Sequence, residues 1–81
     1  MATKEDLQDW VSAALLALGG SARLVEIAKH IWAHHEVELR HSGNLFFTWQ
    51  YDMRWAANQL RRKRVMKAAD ISPIGVWELA T

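Results

Sequence analysis

Thr48-Trp49-Gln50-Tyr51-Asp52-Met53-Arg54-Trp55-Ala56-Ala57-Asn58-Gln59-Leu60-Arg61-Arg62-Lys63-Arg64 is the stretch on which the fold turns. At about 100° per residue, Trp49, Met53, Ala56 and Leu60 recur at i, i+4, i+7 and i+11 and form one apolar stripe. Gln50, Tyr51, Arg54, Asn58 and Arg61 fall on the other side. Two amides, a phenol and two guanidinium groups can reach base edges and phosphates in a DNA major groove. From Arg54 to Lys67 there are six basic residues and no acid. The pattern predicts a helix over about residues 46–63 with an apolar back, an amide-and-arginine front and a basic end. That is a candidate recognition helix. The same pattern also fits an ordinary amphipathic helix with a solvated basic face, since charge-pattern matches recur by chance.

On the N-terminal side, Asp6 can cap a helix carrying Leu7, Val11, Ala14, Leu15 and Leu18 on one face, widened by Trp10 and Leu16. Glu5, Asp6 and Asp9 lie at the favourable end of its dipole, and Gly19-Gly20 ends it. Ser21-Ala22-Arg23 has room only for a turn or a three-residue strand. A second helix follows, with Leu24, Ile27, Ala28 and Ile31 on its face and Val25 and Trp32 flanking it; it is expected to reach His34 or His35. Residues 36–43 are open between a short strand, an extension of that helix and a short extra helix. Ser42-Gly43-Asn44 is turn chemistry. Leu45-Phe46-Phe47 leads into the third helix, capped by Thr48 or an earlier residue.

On the C-terminal side, Val65-Met66-Lys67-Ala68-Ala69 reads as a strand and Asp70-Ile71-Ser72-Pro73-Ile74 as a turn. Gly75-Val76-Trp77-Glu78-Leu79-Ala80 alternates, with Trp77 and Leu79 on one side. The two runs predict a β-hairpin. The whole order is helix, helix, helix, hairpin, with a short strand between the first two helices. It predicts a mostly α member of the α+β class, a winged helix-turn-helix with the hairpin as wing. Leu15, Ile27, Ile31, Trp55, Leu60, Trp77 and Leu79 are the expected core.

The chain has 81 residues, enough for one domain spanning 1–81. Half of the residues are apolar and five are Trp, each able to bury about 150–250 Å². With no Cys there is neither a disulfide framework nor a thiolate metal site. No apolar run approaches the ~18–20 residues of a membrane span. Met1-Ala2-Thr3-Lys4-Glu5-Asp6 lacks the order of a signal peptide, and nothing resembles a purification tag. The expectation is a whole small cytoplasmic protein. Its net charge is +1, but residues 1–44 carry four Lys/Arg against six Asp/Glu, whereas residues 45–81 carry six against three. The basic excess therefore belongs to one part of the fold and suits a polyanion.

Trp55-Ala56 with Leu60 four residues on, then Val65, then Gly75-Val76-Trp77-Glu78-Leu79, resembles the N-terminal winged-helix domain of Mrr-type restriction endonucleases. Leu16-Ala17-Leu18-Gly19-Gly20-Ser21 and Val25-Glu26-Ile27-Ala28 resemble its first half, so the likeness covers nearly the whole chain. It implies DNA binding; the expected partner is double-stranded DNA, and a nucleoid-associated location is one of the settings the sequence leaves open. It does not imply cleavage, because the nuclease of that family is a separate C-terminal unit that this sequence lacks. The chain departs from the pattern at Lys63-Arg64, where the family tends to have Ala-Gly, and in a wing tip without Lys or Arg.

His30 and His34, one turn apart, with His35, His41, Glu36 and Glu38 nearby, are the best metal candidates. They lack a metal-site signature, and the expectation is surface histidines with no metal or cofactor. There is no cysteine nucleophile, phosphate loop or serine elbow, so no enzyme is expected. The predicted DNA set is Gln50, Tyr51, Arg54, Asn58, Arg61, Arg62, Lys63 and Arg64, acting in a transcription regulator or nucleoid factor. The other reading is a protein-interaction module or homodimer that uses the aromatic segment 46–51, through Phe46, Phe47 and Trp49.

Overall fold

The apolar stripe of the quoted stretch is the side on which the third helix is buried. A computed structural model describes residues 2–80. Its elements are α1 (Asp6–Ala17), β1 (Ser21–Arg23), α2 (Leu24–Arg40), α3 (Leu45–Arg62) and β2 (Val76–Glu78). α3 buries Leu45, Trp49, Met53, Ala56, Ala57 and Leu60. It packs chiefly against α1, whose Leu7, Val11, Ala14 and Leu15 are wholly buried. Ile27, Ile31 and Leu39 of α2 close the core from the third side, with Met66 and Trp77 beneath.

Three local readings change. Asp6 does not act as the N-cap of α1; its carboxylate accepts the Thr3 N–H at 2.9 Å instead. Leu16 does not widen the apolar face, for it lies 73% exposed on the far side. Nor does the second helix stop at His35. It kinks there, at φ −132° and ψ 18°, and continues to Arg40. The reason is Leu39, which the extension carries into the core while Val37 stays in water. A strand would have put both on one face. At the kink the His35 ring stacks on Trp10 of α1, with centroids 3.8 Å apart and planes 8° from parallel.

β1 and β2 pair antiparallel with Ser21 opposite Glu78, Ala22 opposite Trp77 and Arg23 opposite Val76. The Leu79 N–H extends the ladder to the Gly20 carbonyl at 2.8 Å. The expected strand over residues 65–69 does not form. This segment meets β2 only at a Met66–Leu79 bridge, with Lys67 N–H donating to the Glu78 carbonyl and Ala80 N–H to the Val65 carbonyl, both at 2.9 Å. At Ala68 the chain leaves the sheet, because the carbonyl of Ala68 takes the N–H groups of Ile71 and Ser72 in a turn. The sheet is therefore two-stranded with a third arm pinned by a bridge, instead of a full hairpin.

Trp55 and Leu79 are half-buried at the edge of the core, not within it. The outer face of Trp55 is covered by the Lys4 ammonium, 4.5 Å from the ring centroid. No helix among the described residues is long and apolar enough to cross a membrane.

Candidate nucleic-acid interface

Burying the Trp49–Met53–Leu60 side of α3 leaves Phe47, Gln50, Tyr51, Arg54, Asn58 and Arg62 exposed. Gln50, Tyr51 and Arg54 do not stand alone. The start of α2 and the 73–75 turn rise on either side of them, and together they line an open groove of about 600 Å³ with Arg23, Leu24, Val25, Met53, Ile74 and Gly75. The groove is held in shape by the backbone, since the Leu24 N–H donates to the Gly75 carbonyl at 3.2 Å. Arg23 and Arg54 bring two guanidinium groups to it. Among the described residues, the side chains of Gln50, Tyr51 and Arg54 make no hydrogen bond or ion pair. A second hollow, of about 370 Å³, lies on the far side of Tyr51 and Arg54, between Lys4, Asp52, Trp55 and Asn58.

The basic end is less uniform than its sequence suggests. Arg61 is folded back on the sheet, its guanidinium 5.8 Å from the Trp77 ring centroid and one Nη donating to Asn58 Oδ1 at 3.2 Å. Its Nε is enclosed without a hydrogen-bond partner. Lys63 reaches α1, where its Nζ donates to Gln8 Oε1 at 2.7 Å. Arg62 and Arg64 remain exposed. Arg64 adopts the left-handed conformation, at φ 62°. It ends α3 as Gly19 ends α1. The Arg64 N–H donates to the Arg61 carbonyl and the Val65 N–H to the Leu60 carbonyl. The Gly19 and Gly20 N–H groups make the same pair of bonds to Leu16 and Leu15. The eight predicted residues thus divide: Gln50, Tyr51 and Arg54 share the groove, Asn58 and Arg61 pair one turn on, Lys63 turns away, and Arg62 and Arg64 extend into solvent.

Sequence reasoning missed Arg23 and Lys4. Arg23 left a faint signal, as a lone cation at the start of a helix opposes the dipole and so draws notice. Lys4 left none, because only the tertiary fold brings it over Trp55.

The aromatic segment is split by burial. Trp49 is 6% exposed and shows only an edge in the hollow it lines with Trp32 and Phe46, too little for the contact expected of it. Phe46 packs against Trp32 with centroids 6.4 Å apart. Phe47 is 83% exposed.

The histidines pair with one another. His30 and His34 stack at 4.1 Å, and His34 Nδ1 lies 2.9 Å from the His30 carbonyl. His35 Nδ1 lies 2.8 Å from Glu38 Oε1. Burial, then the neighbouring His34 and His35, holds the His30 imidazole below its usual 6.5. No group of three His, Asp or Glu among the described residues is placed to hold a metal ion. Comparison of the chain with protein-family models, curated proteins and solved structures finds no match.

Proposed function

We propose that the protein binds double-stranded DNA, with α3 in the major groove and no chemistry of its own. The observation that carries this reading is the unpaired face of α3. Gln50, Tyr51 and Arg54 are exposed together in a groove that also holds Arg23. A guanidinium and an amide near a helix face are the groups that recognise guanine and adenine edges in the major groove. In this reading Gln50, Tyr51, Arg54 and Asn58 meet bases or nearby phosphates. Arg62 and Arg64, at the end of the helix, meet phosphates, which fix the register without reading sequence. Lys63 needs only to release Gln8 to join them. Arg61 serves by bracing Asn58 against Trp77.

The winged-helix identity belongs to the same proposal. Three helices with a sheet that joins the start of α2 to the 73–75 turn support it, as does the resemblance to the Mrr-type N-terminal domain. A regulator or a nucleoid-associated factor in the cytoplasm is the biological setting that fits. An interaction module is favoured by one observation, the exposure of Phe47 beside the apolar hollow of Trp32 and Phe46.

Titration of a generic duplex at rising salt separates the two. A DNA binder loses affinity steeply, because releasing condensed counterions gains less entropy as the bulk salt rises. An interaction module shows no binding at low salt, and that result would sink the DNA reading.

A further inference from the structure

α3 presents more than a duplex reader needs. Phe47, Tyr51, Arg54, Asn58 and Arg62 follow at i, i+4, i+7, i+11 and i+15, and all five are exposed. They form one stripe about 22 Å long at the helical rise. Its first two members are aromatic rings, 83% and 75% exposed. Phe47 is braced from one side only, edge to face against Phe46 at 5.1 Å. An aromatic side chain lying in the major groove of an intact duplex meets base edges, because every base face is already stacked. Two exposed rings one turn apart, followed by two guanidinium groups, are the chemistry that holds unpaired bases and their phosphates. The charge balance agrees. Arg54 and Arg62 belong to the stripe, and Arg23 and Lys4 line the hollows beside its Tyr51–Arg54 part. The carboxylate in the Tyr51 hollow, Asp52, is engaged by Thr48 Oγ1 at 2.7 Å.

We infer that the ligand is DNA at a junction of single and double strand. The Arg54–Arg62 part of the stripe grips the duplex, while Phe47 stacks the unpaired bases that leave it and Tyr51, at the boundary, gives up a base-edge contact in the groove to stack beside it. This rests on the DNA-binding reading and narrows its substrate class. The N-terminal end of α3 faces the unpaired tail, and the C-terminal end lies over the paired segment.

The test is fluorescence anisotropy with three probes of one sequence: a blunt duplex, the same duplex with a short single-stranded tail, and the tail strand alone. The tailed probe is expected to bind on the order of tenfold more tightly than the blunt one. Phe47→Ala and Phe47→Leu should bring that ratio close to one, while Phe47→Tyr should keep it. The Leu variant retains an apolar side chain without a π-face, so a ratio unchanged by Phe47→Leu overturns stacking. Equal binding of tailed and blunt probes by the wild type overturns the junction proposal and leaves duplex binding standing. Binding to none of the probes overturns both. Sedimentation of the same variants covers the remaining occupant: a wild-type dimer that Phe47→Ala makes monomeric, with no change in the probe ratio, makes this face a contact between two copies.

Discussion

Arg64 holds a backbone conformation that a side chain disfavours, at φ 62°, in the motif that α1 closes with glycine. Left-handed geometry costs an L-residue about 1–2 kcal/mol, part of which glycine loses again to its freer unfolded chain. Arg64→Gly is therefore expected to stabilise the fold by about 1 kcal/mol in thermal or urea unfolding. The same change should flatten the salt dependence of duplex binding by about one unit. A stability gain with an unaltered salt slope would show that the guanidinium touches no phosphate. Arg54 is the contrasting case, standing in the groove near the middle of the exposed face. Arg54→Ala should cost about 1–3 kcal/mol on a preferred site and narrow the gap to scrambled DNA, whereas Arg62→Ala should weaken all duplexes alike. Titration of both variants on the two duplexes decides whether α3 reads sequence or only holds a backbone.

At the scale of elements, α3 and β2 each seat a large side chain in the core that α1 and α2 share, Leu60 and Trp77. Trp77 lies buried in β2, opposite Ala22 of β1 and under the Arg61 guanidinium. Trp77→Ala is expected to cost about 3–5 kcal/mol and Leu60→Ala about 2–5, read from urea midpoints. Trp55→Ala should cost less than either, because half of its ring faces Lys4 and water. The stripe of α3 was legible because helical periodicity is written in the residues themselves. The length of α2 was not. Its continuation depends on Leu39 finding the core beyond a kinked histidine, and that is a tertiary fact. The arm over residues 65–69 misled because Val65 favours extended chain and Met66 is apolar, yet Ala68 and Ala69 have little side chain to hold a pairing against the turn that follows. In the candidate site, Gln50, Tyr51 and Arg54 were readable on one helix. Arg23, Lys4 and the withdrawal of Lys63 and Arg61 were not, since each depends on a contact with another element.

For the whole molecule, proton uptake is coupled to folding through His30. Its imidazole is held below 6.5 in the folded state by burial and by His34 and His35. On acidification the unfolded chain takes up that proton first, so this share of stability is intact above about pH 6.5 and shrinks as pH falls through the lowered value. The urea midpoint should drop between about pH 7.5 and about pH 5, and His30→Gln should make the drop smaller. An equal drop in the variant would assign it to other groups. The order in which the molecule assembles follows from β2. Its register with β1 joins positions 53 to 57 residues apart, whereas each helix closes its bonds within a turn. Closing so long a loop loses more chain entropy than closing a helical turn, so the C-terminal strand is expected to seat after the rate-limiting docking of the three helices. Changes in the β1–β2 pair should then speed unfolding and barely alter the refolding rate. β2 acts as a latch, the last piece to seat and the first to lift.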